Sequence, residues 1–114
     1  IRPSAELFQY NLLMSLKDSG NYHYKNRDYA KAIDYYLKSI KANPNESAVY
    51  YNLAMSQFQL QRYEEAITNC TEALRLEPSY KKALYRRMHS YAKLGKYLEA
   101  ILDGRRYLEL EDPK

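Results

Sequence analysis

Three stretches decide the fold: Arg-Asp-Tyr-Ala-Lys-Ala-Ile at 27–33, Gln-Arg-Tyr-Glu-Glu-Ala-Ile at 61–67, and Gly-Lys-Tyr-Leu-Glu-Ala-Ile at 95–101. They align without gaps at a period of 34 residues, with Tyr, Ala and Ile each at a fixed position. Two prolines, Pro44 and Pro78, keep the same spacing. A constant period of this length indicates that the chain stacks copies of one supersecondary unit.

Apolar spacing within each copy predicts two helices separated by a short turn. Asn-Pro-Asn at 43–45 and Glu-Pro-Ser at 77–79 should end the second helix of the first two copies. Ser4, Asp28 and Ser79 precede predicted helices and are expected to cap them. The predicted helices span residues 5–25, 29–41, 47–60, 63–76, 80–94 and 97–110.

The pattern resembles the tetratricopeptide repeat (TPR) family, in which each repeat is a helix-turn-helix pair. The resemblance covers residues 13–114 and implies an all-α fold. The implied architecture is a right-handed superhelical α-solenoid of three repeats and six helices, the first of them extended. Within one domain, the predicted ranges are 1–12 for an N-terminal extension of the first helix, then 13–46, 47–80 and 81–114 for the three repeats.

Small residues at fixed positions predict how the helices pack. The repeated alanines should let the two helices of each pair approach closely, with the repeated tyrosines and isoleucines filling the groove between them. Gly20 is also expected at a close helix approach. Ala54 and Met88 replace it at the equivalent positions of the later repeats, so we expect those helices to lie slightly further from their partners.

Composition limits the broad class of the protein. A chain of 114 residues fits one domain, and its single cysteine, Cys70, allows no internal disulfide and fits a reducing compartment such as the cytosol. No apolar run approaches the roughly 20 residues of a membrane span. Because the chain begins with Ile1, we expect it to be a segment of a longer protein.

Five polar residues of the predicted first, third and fifth helices fall on one side of those helices, within about 100° of arc. Asn is a poor helix former, and two cations four residues apart repel each other, so a bound anion would explain these choices. Carboxylate capture at a chain end is a known mode of peptide recognition. We call these residues the five-residue set: Lys17, Asn21, Asn52, Lys82 and Arg86.

The five-residue set resembles the dicarboxylate clamp of TPR co-chaperones, since Lys-x-x-Gly-Asn at 17–21, Asn52, and Lys-x-x-x-Arg at 82–86 match its pattern. The resemblance implies an adaptor that binds the C-terminal Glu-Glu-Val-Asp of heat-shock chaperones of the seventy- or ninety-kilodalton class. It further implies that Lys17, Asn21 and Asn52 hold the terminal carboxylate. Lys82 and Arg86 would hold the last side-chain carboxylate and nearby backbone.

Other residues of the same face have two open interpretations. Helix packing and contact with apolar ligand side chains are equally compatible with the four flanking residues, Tyr24, Met55, Phe58 and His89. Outside this face, we expect the Arg87 stem to pack with its head in solvent, His23 to pack between helices, and Cys70 to be a buried packing thiol.

Several function classes lack sequence support. There is no phosphate loop, no paired nucleophile and base, and no metal-ligand spacing, so we expect neither an enzyme, nor a metal site, nor a cofactor. The net charge of +4 and 14 tyrosines raise nucleic-acid binding as a rival, but most tyrosines recur at packing positions. The remaining alternative is a general TPR scaffold that assembles a complex without binding a chaperone tail. Either module should be cytoplasmic, without direct membrane contact from this segment, or at the cytosolic face of an organelle if other parts of the protein place it there.

Overall fold

The computed structural model describes residues 4–110, and within that range it contains helices and no strands. Each predicted helix is present, and every boundary lies within one residue of its predicted position. The fold class predicted from the repeat is therefore confirmed. The helices are α1 (Ala5–Lys25), α2 (Tyr29–Ala42), α3 (Ser47–Gln59), α4 (Tyr63–Leu76), α5 (Lys81–Lys93) and α6 (Tyr97–Glu109).

Two of the three predicted helix caps form. Ser4 Oγ accepts a hydrogen bond from the Leu7 backbone N–H at 3.1 Å, and Asp28 Oδ1 accepts one from the Lys31 N–H at 3.3 Å. The prediction for Ser79 is wrong, because α5 begins one residue later and Tyr80 takes the N-cap position without a side-chain cap bond. The first turn of α5 therefore keeps backbone N–H groups that no capping side chain satisfies.

The turn inside each helix pair contains one residue in the left-handed conformation. These residues are Arg27 and Gln61, both with φ of 61°, and Gly95 with φ of 74°. They are 34 residues apart, so the same turn recurs in all three pairs. Only Gly adopts this conformation without steric cost, so the first two turns are mildly strained.

Helices pack in chain order, and α3 also contacts both α1 and α5. The first core cluster joins α2 to α3 through Ala32, Ile33, Tyr36, Val49 and Leu53. All three repeated alanines are buried, with exposures of 0%, 0% and 8%, which confirms their predicted role at the close helix contacts. The stacking places α1, α3 and α5 side by side along one surface, which we call the groove.

The close contact at Gly20 is confirmed, and its counterparts explain how the later repeats avoid a clash. A Cβ on Gly20 would lie 2.5 Å from Cε1 of Tyr36. In the second repeat Ala54 packs with Cys70, and in the third a Cβ on Gly104 would lie 3.1 Å from the Met88 sulfur. From the first repeat to the third, the residue at the Gly20 position grows from Gly to Ala to Met, while the residue that faces it shrinks from Tyr to Cys to Gly. The expectation that the helices carrying Ala54 and Met88 lie further from their partners did not include this compensation.

Two apolar surfaces remain exposed at the ends of the described chain. Ile33 is 6% exposed, whereas its third-repeat counterpart Ile101 is 55% exposed and Tyr97 is 67% exposed. The prediction that these residues fill a groove between helices is therefore wrong for the third repeat, where α6 has no following helix within residues 4–110. The start of α1 also exposes Leu7, Phe8, Tyr10 and Leu12.

Candidate functional site

The structure brings two members of the five-residue set into direct contact across adjacent helices. Asn52 on α3 donates from Nδ2 to Oδ1 of Asn21 on α1, at 3.4 Å. Both residues line one cavity of about 270 Å³ in the groove. The amides that the sequence placed on one side of their helices therefore do face each other.

Asn21 also has a partner that the sequence did not predict. Its Oδ1 accepts a second hydrogen bond, at 2.5 Å, from the hydroxyl of Tyr36 on α2. Tyr36 lies on the second helix of the same pair, 15 residues away in the chain, so spacing within α1 could not reveal this contact. Burial, followed by the neighbouring Tyr24, raises the pKa of Tyr36 to about 12, so its hydroxyl stays protonated and donates. Since both bonds use the amide oxygen, the Asn21 NH₂ group remains the available donor.

Lys17 is paired within the chain. Its Nζ donates to Oε2 of Glu46 at 3.0 Å, and the two side chains are 25% and 35% exposed. The Asn43 amide lies at the hydrogen-bond limit from the other Glu46 oxygen, 3.5 Å away. The 29-residue separation of Lys17 and Glu46 gave the sequence no local signal of this ion pair.

Lys82 and Arg86, in contrast, have no ion-pair partner among residues 4–110. The Arg86 guanidinium carbon lies 4.6 Å from the Phe58 ring centroid, so a cation–π contact offsets part of the repulsion between the two cations. Arg86 Nε is a buried nitrogen without a hydrogen-bond partner in the described chain. An uncompensated donor of this kind is costly unless a ligand or solvent satisfies it.

Tyr51 connects the two parts of the groove. It lines the 270 Å³ cavity with Asn21 and Asn52, and also a second cavity of about 280 Å³ with Lys82. Burial raises the pKa of Tyr51, while the nearby Arg86 partly counters that rise. The groove is therefore one continuous surface from α1 to α5. A larger hollow of about 590 Å³ lies along α1 alone and includes none of the five-residue set.

The four flanking residues lie in or beside the groove, and Tyr24, Phe58 and His89 also pack against neighbouring side chains. Tyr24 and Met55 line the 270 Å³ cavity. Phe58 packs against the second core cluster and faces Arg86, and His89 lies edge-on to the ring of Tyr85 at 4.4 Å. Both interpretations, helix packing and ligand contact, stay open for these residues.

The structure tests the sequence predictions for three residues outside the groove. His23 stacks on Tyr35 of α2 at 5.3 Å, and Cys70 is fully buried with its pKa raised by burial to about 12, so both packing predictions are confirmed. The prediction for Arg87 is wrong, because its guanidinium makes two hydrogen bonds, of 2.8 and 2.6 Å, to the buried Asp103 carboxylate. That pair joins α5 to α6 and keeps Arg87 out of the groove.

A metal-ligand cluster and a membrane-spanning helix are both absent from the described part of the chain. Between residues 4 and 110, no three His, Cys, Asp or Glu side chains cluster closely enough to hold a metal ion. None of the described helices combines the length and the apolar composition that crossing a membrane would need.

Six helices within residues 4–110, a 34-residue repeat and a polar groove on the first helix of each pair define a TPR array. The chain belongs to the tetratricopeptide repeat family, whose profile matches residues 17–81. This confirms the family predicted from the repeat.

Particular relatives include a TPR-containing protein and TPR domains whose structures contain an HSP90 or HSP70 peptide. The chain is 44% identical over 55 residues to human small glutamine-rich tetratricopeptide repeat-containing protein beta, a match over 48% of this chain but only 18% of that protein. The second TPR of Spaghetti (RPAP3), bound to the HSP90 peptide SRMEEVD, is 39% identical with a TM-score of 0.85, covering 90% of this chain and 97% of that one. The second TPR of human RPAP3, in complex with the HSP70 peptide SGPTIEEVD, is 38% identical with a TM-score of 0.86, covering 90% and 86%.

Proposed function

We propose that this TPR domain is a chaperone-docking adaptor that binds the C-terminal Glu-Glu-Val-Asp tail of a heat-shock chaperone of the seventy- or ninety-kilodalton class. The observation that carries the proposal is the groove between α1, α3 and α5. Tyr51 joins the cavity of the contacting amides, Asn21 and Asn52, to the cavity lined by Lys82. Arg86 lies beside Tyr51, and neither cation has an ion-pair partner in residues 4–110. Similar domains with bound HSP90 and HSP70 peptides support the same assignment.

In this proposal, different members of the five-residue set bind the two negatively charged groups at the end of the ligand. Lys17, Asn21 and Asn52 bind the terminal carboxylate, and the NH₂ group of Asn21 donates while its oxygen is held by Tyr36. Lys82 and Arg86 bind the side-chain carboxylate of the last residue and nearby backbone. A ligand oxygen at the buried Arg86 Nε would satisfy a donor that has no partner in the described chain.

The strength of this interaction follows from competing terms. Each charge-assisted hydrogen bond contributes about 1.5 to 3 kcal/mol at best, while ordering a flexible tail removes much of that gain. We therefore expect a dissociation constant on the order of micromolar. Binding should weaken with added salt because the groove is open to solvent and its cations are screened.

The test is a calorimetric titration of the domain with a peptide ending in Glu-Glu-Val-Asp and with a scrambled peptide of the same composition. Equal net charge in the two peptides separates recognition of the sequence from general attraction to a basic surface. We expect micromolar binding for the first peptide and binding at least about tenfold weaker for the second. Equal affinities would contradict the proposal.

The second candidate, a general TPR scaffold, is favoured by the exposed strip on α6, where Tyr97, Leu98, Ile101 and Leu102 are each more than half exposed. A scaffold that assembles through this strip would keep its partners when groove residues are replaced. Loss of partners on Lys82→Ala would instead favour chaperone-tail binding.

The remaining features of the proposal are those of a binding module. The domain acts without catalysis and without a cofactor, in the cytoplasm or at the cytosolic face of an organelle. It brings the chaperone to whatever the rest of the protein carries, and neither nucleic acid nor a membrane is a direct partner.

A further inference from the structure

Within residues 4–110, one member of the five-residue set, Lys17, forms an ion pair, and its partner is the carboxylate of Glu46. Glu46 is the residue that matters here because its carboxylate lies where a ligand carboxylate would bind. It lies just before α3 and approaches Lys17 Nζ to 3.0 Å. The equivalent positions of the second repeat hold Tyr51 and Tyr80, whose rings lie 5.3 Å apart. The same structural contact therefore forms without charge in that repeat, so the helix stacking does not require an ion pair at this place.

The ion pair makes the groove electrostatically uneven. At α1 the Lys17 cation is neutralised by Glu46, whereas at α5 neither Lys82 nor Arg86 has an acidic partner within residues 4–110. A carboxylate arriving at the α1 end meets an ammonium that already has one carboxylate at contact distance. It also meets the negative charge of Glu46 itself, which repels it.

We propose that Glu46 is an internal competitor of the ligand: its carboxylate occupies Lys17 in the unbound domain and must yield or share that ammonium when a C-terminal carboxylate binds. This inference rests on the proposed function, since it concerns the affinity of the same site. Glu46 thus sets the groove's affinity below what the five-residue set alone would give. It also favours ligands with a second negative charge, which the uncompensated α5 end attracts.

The experiment compares Glu46→Gln with wild type in a titration with the Glu-Glu-Val-Asp peptide. Glutamine keeps the size of the side chain and an oxygen for Lys17, but removes the charge. The matched control is Glu72→Gln, because Glu72 pairs with Arg75 at the same 3.0 Å distance but on α4, outside the groove. Ion pairs near a protein surface have measured strengths that correspond to about a 1.4- to fivefold change in affinity, so Glu46→Gln should bind up to about fivefold more tightly.

A purely structural role for Glu46 makes different predictions. If its only effect were to hold Lys17 in place, glutamine would bind no more tightly than wild type, and its salt dependence would be unchanged. As a competitor, its loss leaves Lys17 uncompensated, so the affinity of Glu46→Gln should fall more steeply with salt than that of wild type. Glu72→Gln should match wild type in both measurements.

The outcomes separate this inference from the proposed function. If wild type binds the tail peptide and Glu46→Gln binds it equally or more weakly, the competitor role is overturned and the proposed function still stands. An equal gain for Glu72→Gln also overturns it, because net charge alone would then explain the effect. A wild-type domain that does not distinguish the tail from its scrambled form overturns both.

Discussion

The two ends of the groove are built in different ways. At the α1 and α3 end, Lys17 is paired with Glu46, and the oxygen of Asn21 accepts from both Tyr36 and Asn52. At the α5 end, the cations have no acidic partner among the described residues, and the buried Nε of Arg86 has no hydrogen bond there. The first end is held in place by its own neighbours, whereas at the second end Arg86 packs against aromatic rings, 4.6 Å from the Phe58 ring centroid.

This difference assigns distinct tasks to the ends. Side chains fixed by internal hydrogen bonds lose little conformational freedom on binding and can position a ligand group with defined geometry. Uncompensated cations attract an anion more strongly than cations that are already paired. We therefore expect the α1 and α3 end to set the orientation of a bound tail, and the α5 end to supply most of the net electrostatic attraction.

The largest effect is expected for Lys17→Ala. It removes one cation from the site and leaves the Glu46 carboxylate unpaired where a ligand carboxylate should lie. Loss of a charge-assisted hydrogen bond alone corresponds to about a 10- to 150-fold loss of affinity, and repulsion by Glu46 adds to it. Calorimetric titration of Lys17→Ala, and of the double variant that carries both Lys17→Ala and Glu46→Gln, checks the prediction. The double variant should recover part of the loss, and no recovery would contradict the pairing described for this end.

A smaller loss, of about tenfold or more, is expected for Lys82→Ala and for Arg86→Ala, because neither leaves an unpaired carboxylate behind. The exposed Lys82 supports no packing, so its thermal unfolding curve should stay nearly unchanged. Lys93→Ala, at the last turn of α5, removes the same charge outside the five-residue set and should bind as wild type does. If calorimetry gave all three variants wild-type affinity, the α5 end would have no role in binding.

Tyr36→Phe should change both binding and stability by a moderate amount. Without the hydroxyl, Asn21 loses the 2.5 Å bond that fixes its amide, so affinity should fall a few-fold. The free energy of unfolding should fall by about 0.5 to 1.5 kcal/mol, the net contribution of one hydrogen bond. Tyr35→Phe is the control, since that hydroxyl makes no hydrogen bond within residues 4–110 and the residue stacks on His23 instead. Equal effects of the two variants would mean that the hydroxyl of Tyr36 does not position Asn21.

The smallest effect tests whether stability alone alters binding. Gln61 has a φ of 61° in the turn between α3 and α4, so Gln61→Gly relieves the left-handed strain there. The relief of strain exceeds the entropy cost of glycine, so the free energy of unfolding should rise by about 0.5 to 1 kcal/mol. The peptide affinity should not change. Gly95→Ala, with φ of 74°, should do the reverse. Chemical denaturation measures both, and a change in affinity would couple this turn to the groove.

The fold was predictable because the repeat fixes it. Tyr, Ala and Ile at one spacing predicted six helices within one residue of their bounds, since the signals are local and occur three times. The prediction failed where repeats differ or where the chain ends. Ile101 occupies a repeat position that is buried in the first repeat, but no further helix covers it in residues 4–110. Helix α5 begins at Lys81, and Tyr80 takes its N-cap position in place of the predicted Ser79.

The candidate site was predictable only in part. Helical spacing placed Asn21 and Asn52 on the same side of their helices, and the structure brings these two amides into contact. It did not predict the partners that come from other elements, namely Glu46 for Lys17 and Tyr36 for Asn21, which lie 29 and 15 residues away in the chain. It also placed the head of Arg87 in solvent, because the Asp103 partner lies 16 residues away on the next helix. Contacts that join distant residues depend on the packing, which no spacing within a single helix encodes.

The central claim is that the groove recognises the negative charge at the end of a polypeptide. The most direct measurement is calorimetric titration of wild-type protein with one Glu-Glu-Val-Asp peptide in two forms, a free carboxylic acid and a C-terminal amide. The amide keeps every side chain and removes only the terminal charge, so we predict that it loses most of the affinity. Equal binding of the two forms would contradict terminal-carboxylate recognition and would indicate that the groove binds an internal acidic motif.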